Sequence, residues 1–366
     1  MRCLSVVTLF TLAVFLLTLP VPGHAQTWFQ DNFFDEDDGK LDVSNWLAKG
    51  GFFPVPIIIT EPAVEAGLGF AFAWIYGGDP VNKSPPNTTG LAALGTGNGS
   101  EAYAAFHRGY YFDDRLRVNG VVADTSLNLN FFSDVVPGGF RYNFDGVYAS
   151  AAATTRVRDS NWFAGGRYTY FDADVRYRGA GNAPGDLPTA PVNARLSGLG
   201  AILDYDTLDN SLTPNDGTSA RLSATVYDKA LGSNFDYTAA GLSIFSWKTP
   251  NPTWTHGVKF EVEATSDDAP FFVRPFISLR GIPVARYQND AVVSTEVETF
   301  YRLNDRWRAT AFGGVGYAGD DPKFTVGAGF RYRIARKLGL DAGIDIAQGP
   351  EDTVLYIQFG TAWQRF

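Results

Sequence analysis

Of 366 residues, one is cysteine, one is methionine and three are histidine. Cys3 is the sole thiol, so no intrachain disulfide can staple the fold and no thiolate is available beyond the extreme N-terminus. His24, His107 and His256 are too few and too scattered for a multi-histidine metal site, and acidic stretches show no ligand spacing, so neither metal nor cofactor is expected. Charge is sparse at 19%, and 30 basic against 39 acidic residues leave −9 with no basic block, which excludes a nucleic-acid partner. Only one apolar run is long enough to consider as a membrane-spanning helix, so a polytopic helical protein is excluded. What the chain has instead is 15% aromatic residues, among them 29 Phe and 17 Tyr, far too many for disorder, together with 39 glycines.

The apolar run Leu4–Leu19 follows Met1-Arg2 and is broken by Pro20, Pro22 and Gly23. With small residues at Gly23 and Ala25, it reads as a signal peptide, residues 1–25, cleaved on export. Residues 26–51 form an acidic segment in which Asp31, Asp35, Glu36, Asp37, Asp38 and Asp42 precede Leu41, Val43, Trp46 and Leu47 at near-helical spacing. A short amphipathic helix capped by Asp42 is expected there, at the periplasmic mouth, where it would plug the lumen or bind the interface. The run Asp35–Gly39 imitates a calcium loop without its glutamate and reads as a solvated acidic stretch.

From residue 52 to 366 the hydrophobic period is two. Phe324, Val326, Ala328 and Phe330 alternate with Thr325, Gly327, Gly329 and Arg331, and Leu340, Ala342, Ile344 and Ile346 with Asp341, Gly343 and Asp345. A soluble sandwich would bury the apolar face; a transmembrane barrel turns it to lipid and encloses the polar face. Segments of about ten residues or more and aromatics near their ends (Trp74, Tyr76, Trp247, Trp254, Tyr301, Trp307, Trp363) favour the barrel, as does the terminal Phe366. Seventeen alternating segments can be placed, but 270–279 lies among Pro270, Pro275 and Pro283 and is assigned to a long loop, 266–290. The expectation is an all-β, 16-stranded antiparallel transmembrane barrel, with final strands near 291–303, 307–319, 323–335, 338–348 and 352–364.

Two motifs carry a resemblance. Arg280-Gly281-Ile282-Pro283 sits in the long loop ahead of the twelfth strand, and Asp206-Thr207-Leu208-Asp209-Asn210 with Pro214 and Gly217 falls between the eighth and ninth. Together they resemble the BamA/TamA superfamily (bacterial surface antigen) of outer-membrane assembly and translocation barrels, and Pro54 to Pro62 resembles members without periplasmic POTRA repeats. Segment 26–51 is expected to be too short for such a repeat. The resemblance implies a loop whose arginine is latched by an acidic residue of strand thirteen, but Gly314 stands at that place. A lumenal arginine needs a counter-charge. Glu296 and Glu298 on the inward face of the twelfth strand, and Asp341 and Asp345 on that of the fifteenth, are the candidates.

Pro54 and Pro56 lack ladder donors and Gly360 pairs weakly, so the seam between first and last strands is expected to be short or strained and able to open into the bilayer. No G-x-S-x-G elbow or other catalytic constellation is present, and no enzyme is expected. The implied role is insertion, translocation or organisation of outer-membrane components in a Gram-negative bacterium, with the bilayer and a periplasmic or outer-membrane protein as partners. The alternative is a pore made cation-preferring by Glu261, Glu263, Glu296, Glu298 and Asp345.

Overall fold

A computed structural model describes residues 23–48, 52–77, 85–133, 136–179, 192–319 and 321–363. Residues 1–22, with the body of the expected signal peptide, and Phe366 lie outside these ranges. Two helices come first, α1 (Gly23–Phe33) and α2 (Ser44–Ala48). The first half of the barrel comprises β1 (Phe52–Ile59), β2 (Gly67–Tyr76), β3 (Asn87–Thr96), β4 (Glu101–Tyr111), β5 (Leu116–Ser133), β6 (Val136–Arg156), β7 (Trp162–Tyr177) and β8 (Val192–Asp206). The second comprises β9 (Gly217–Tyr227), β10 (Tyr237–Asn251), β11 (Trp254–Thr265), β12 (Ala291–Arg302), β13 (Trp307–Tyr317), β14 (Lys323–Ala335), β15 (Leu340–Gln348) and β16 (Thr353–Phe359). All sixteen are neighbours in chain order, with antiparallel pairing throughout. The proline-framed stretch 270–279 holds no strand, but a 3₁₀ turn at Phe271–Val273 and a single bridge from Phe276 to Gln288.

Alternation decides the faces. Leu68, Phe70, Phe72 and Trp74 on β2, Phe324, Val326 and Phe330 on β14, and Ile344 and Ile346 on β15 are exposed on the outside. On the inside the same strands carry glycine, alanine, arginine and aspartate, and Asp341, Asp345 and Arg331 are buried. Such a surface is stable only against hydrocarbon, where the ladder satisfies the backbone. Near the end where the N-terminal helices lie, outward rings pair into a girdle: Trp74–Tyr76 at 4.5 Å, Trp254–Tyr301 at 4.8 Å, Trp162–Tyr205 and Trp307–Tyr332 at 5.0 Å. Two expected girdle members do not belong to it. Trp247 and Trp363 are buried in the lumen, 5.1 Å apart.

Trp363 turns inward because the last strand is shorter than its alternating pattern. β16 stops at Phe359, and Gly360 takes φ +77°, a left-handed conformation that breaks the strand without the steric cost a side chain would bring. The chain then runs under the barrel, where Thr361 N–H donates to Leu212 O at 2.8 Å. Among the described residues no ladder joins β1 to β16. Pro54 and Pro56 do lie within the β1–β2 ladder, opposite Phe72 and Phe70. A proline is accommodated there only with its donor-less nitrogen on the free edge, so the β1 edge facing β16 lacks two donors.

The N-terminal segment spans this seam at one end. Val43, Leu47 and Trp46 pack with Ile334, Ala335 and Leu340 of β14 and β15 and with Ile75 of β2. Asp42 accepts the Ser44 N–H at 2.7 Å from one residue ahead of the cap position, which Val43 occupies, and Val43 N–H donates to Ile334 O at 2.8 Å. Helix α1 runs through Ala25, the proposed cleavage position, which the periodicity of 26–51 did not indicate.

Candidate functional site

Loop 266–290 enters the barrel and presents Arg280 to the inward faces of β12 and β15. Its guanidinium is buried and meets three carboxylates: Nε and Nη2 donate to Glu296 Oε1 at 3.0 and 2.6 Å, Nη2 to Glu298 Oε2 at 2.9 Å, and Nη1 to Asp345 Oδ2 at 2.9 Å. Its Cζ lies over the Phe312 ring of β13, 3.5 Å from the ring centre. Gly314, standing where the resemblance called for an acid, is covered by Leu279: a Cβ there would come within 2.9 Å of Leu279 Cδ2. Asp341, the fourth candidate, is taken by Arg308 and Arg333.

Partners that the alternation alone did not single out complete the network. Arg331 grips Asp345 with both terminal nitrogens, at 2.5 and 2.7 Å. Trp363 Nε1 donates to Glu296 Oε1 at 2.7 Å and Trp247 Nε1 to Glu298 Oε1 at 3.4 Å. Two adjoining clusters result: Arg280 and Arg331 face Glu296, Glu298 and Asp345, all buried, while Arg308 and the half-buried Arg333 share Asp341. Burying so many ions is tolerable because each is paired and further hydrogen-bonded. Lys259 and Glu261 pair separately at 2.7 Å, so most of the inward glutamates that would make a cation-preferring lining are neutralised.

The loop tip is tied on both sides of the seam. Gly281 N–H donates to Tyr356 Oη of β16 at 2.9 Å, and Val284 N–H to Glu61 Oε1, between β1 and β2, at 3.0 Å. Burial pushes the Glu61 carboxyl upward against the opposing pull of the Val284 and Ala63 N–H groups. Arg286 forks onto Glu351, between β15 and β16, at 2.6 Å through both nitrogens, and Tyr287 joins at 2.6 Å. Ile282 packs with Ile277, Leu279 and Val292. Gly281 itself has φ +96°, and an added Cβ would meet Gly349 N at 2.9 Å. Gly281→Ala is therefore expected to cost about 1–3 kcal/mol and unseat the tip, seen as faster proteolysis within 266–290.

At the opposite end the turn 207–216 crosses the mouth. Asp206 accepts from Leu208 N–H and from Arg117 Nη1, Asp209 from Asn215 and Asp216 N–H, and Asn210 from Leu212 and Thr213 N–H. Asn210 Nδ2 then donates to Leu338 O, between β14 and β15, at 2.8 Å. Pro214 lies on this turn beside Phe245, Trp247 and Trp363, and Thr207 and Gly217 close its base. Arg306, between β12 and β13, is held by Asp38 and Asp42 at 2.7 Å and by Asp35 at 2.9 Å. The acidic stretch that looked merely solvated is thus the counter-charge of one buried arginine.

A sixteen-stranded barrel, apolar outside and charged within, with one long loop latched in its lumen, defines an outer-membrane-type barrel. Its fold is shared with BamA from Haemophilus ducreyi lacking POTRA domains 1–3, at 12% identity and TM-score 0.56 over 92% of this chain and 81% of that one. It is shared also with CdiB from Escherichia coli, at 9% identity and TM-score 0.58 over 84% of this chain, and with CdiB from Acinetobacter baumannii, at 9% and 0.56. The chain spans 61% and 58% of those two CdiB chains. No protein-family profile and no curated protein sequence matches it.

Proposed function

We propose that the chain works in the outer membrane of a Gram-negative bacterium, where it assists insertion, translocation or organisation of outer-membrane components. The β1–β16 seam is the moving part. The observation that carries this is the division of labour at the seam: among the described residues no ladder joins the two edge strands, while the lumenal loop bridges one end and the N-terminal segment the other. Side-chain ties of this kind can be exchanged more readily than a row of main-chain bonds. The likeness to BamA and CdiB barrels supports the same reading, with a periplasmic or outer-membrane protein as partner. A passive pore is disfavoured by the loop latched inside the lumen and by the pairing of most of its inward acids. Planar-bilayer recordings are expected to show small, flickering currents; a large, steady, cation-selective current would favour the pore.

Ile58 and Leu355 are both exposed on the outer face of the two edge strands. In a Cys3→Ser background, an Ile58→Cys/Leu355→Cys pair joined by a thiol crosslinker is expected to lower several-fold the abundance of other barrels in cells that depend on this chain. Reduction should restore it. Undiminished assembly with the seam fully crosslinked would refute the opening seam.

A further inference from the structure

A second lumenal feature lies apart from the arginine latch. Between the inward faces of β5 to β11 and the 3₁₀ turn Phe271–Val273 is a cavity of about 460 Å³. That size falls in the range of roughly 300–1,000 Å³ that takes small organic ligands. Leu127, Leu129, Phe144, Phe171, Leu196 and Phe272 form an apolar wall, and small residues at Ala239 and Gly241 leave the recess opposite them.

Two charges face this space and neutralise no one. Arg167 of β7 is half-buried, its Nε is buried without a hydrogen-bond partner, and it enters no ion pair among the described residues. Glu263 of β11 lines the same cavity, while the nearby Lys259 is committed to Glu261. Four strand spacings of about 4.8 Å separate β7 from β11 along the wall, so the two charges are held apart. Thr265 Oγ1, also lining the cavity, is buried and unpartnered. Elsewhere in the lumen Arg117, Arg221, Arg280, Arg308, Arg331 and Arg333 each face a carboxylate. Arg167, beside an apolar wall, pairs with no carboxylate among the described residues, and buried polar groups without partners mark places where a ligand can supply them.

We propose that this cavity binds an amphiphile with one anionic head, its carboxylate or phosphate on Arg167 and its apolar body against the Leu/Phe wall. Glu263 sets the direction, because a second anionic group at that end would be repelled. Since Phe272 and Val273 belong to the same loop as Arg280, the occupant would rest directly against the lumenal loop. The site is independent of the assembly role: it stands or falls on binding alone.

The test uses the full-length chain in a neutral maltoside detergent, titrated with dodecanoate, dodecyl phosphate or dodecanol and read by native mass spectrometry. One equivalent of anionic amphiphile is expected to be retained. Arg167→Gln, which breaks no ion pair, and Ala239→Trp, which fills the recess, should each weaken it on the order of tenfold or more. Arg115→Gln, on an exposed pair with Asp159, should not. Retention of dodecyl phosphate alone would assign the head to a lipid phosphate, and of dodecanoate alone to a free fatty acid. Heat-modifiable gel migration shows that each variant is folded. Equal affinity of a folded Arg167→Gln chain, equal retention of dodecanol, or several equivalents insensitive to Ala239→Trp would overturn the proposal.

Discussion

Arg280→Ala is expected to be the most damaging single substitution in the barrel interior. It leaves Glu296, Glu298 and Asp345 buried together with Arg331 as the main remaining cation. Removing one partner of a buried ion pair costs about 3–5 kcal/mol, chiefly because the stranded charge stays dehydrated. The folded band on a gel should convert to the unfolded one at a clearly lower temperature, and loop 266–290 should become open to protease. Arg280→Lys should recover part of the loss, since an ammonium keeps the charge but cannot fork onto three acids while lying over Phe312. The reversal Arg280→Glu with Glu296→Arg should not rescue, because Glu298 and Asp345 would then face a new carboxylate. An Arg280→Ala barrel with unchanged thermal conversion would mean that the loop is held by its apolar contacts alone.

Arg306→Ala should release the N-terminal segment. Its guanidinium is the common partner of Asp35, Asp38 and Asp42, and its loss is expected to speed proteolysis of residues 34–48 roughly tenfold or more, with the barrel intact. The same contact should respond to acid. The hydrogen bond from Arg306 holds Asp38 well below the usual carboxylate range. At Asp42 burial pulls upward, but Ser44, Arg306 and the Arg336 N–H together bring it down. Groups whose folded pKa is depressed contribute stability that is fully present above their unfolded pKa and is lost as pH falls through the folded one. Protection of the segment should therefore be flat from neutral pH to the ordinary carboxylate range and disappear below it. Loss of protection already at neutral pH, or none in strong acid, would contradict the Arg306 clasp.

That loop 266–290 leaves the sheet follows from Pro270, Pro275 and Pro283, because a missing donor is a local property. That Asp345 and not Asp341 receives Arg280 is not local. Both residues share the inward face of β15, four apart, and nothing in the pattern separates them. Their neighbours across the ladder do: Asp341 stands opposite Arg333, which claims it, whereas Asp345 stands opposite Gly329, which leaves room for Arg331 and Arg280 to converge. Trp363 is a similar case. Its spacing continues the alternation of β16, and only the left-handed turn at Gly360 sends it into the lumen.

Strand number, inward and outward faces and the long loop were thus determined by the chain's own periodicity, since period-two alternation and proline placement act within a few residues. Register across the ladders, the arginine–carboxylate pairing and the pairing of Arg306 with aspartates some 264–271 positions away were decided only by the barrel as a whole. Charges find partners by distance in space, and a barrel brings together residues that their order along the chain keeps far apart.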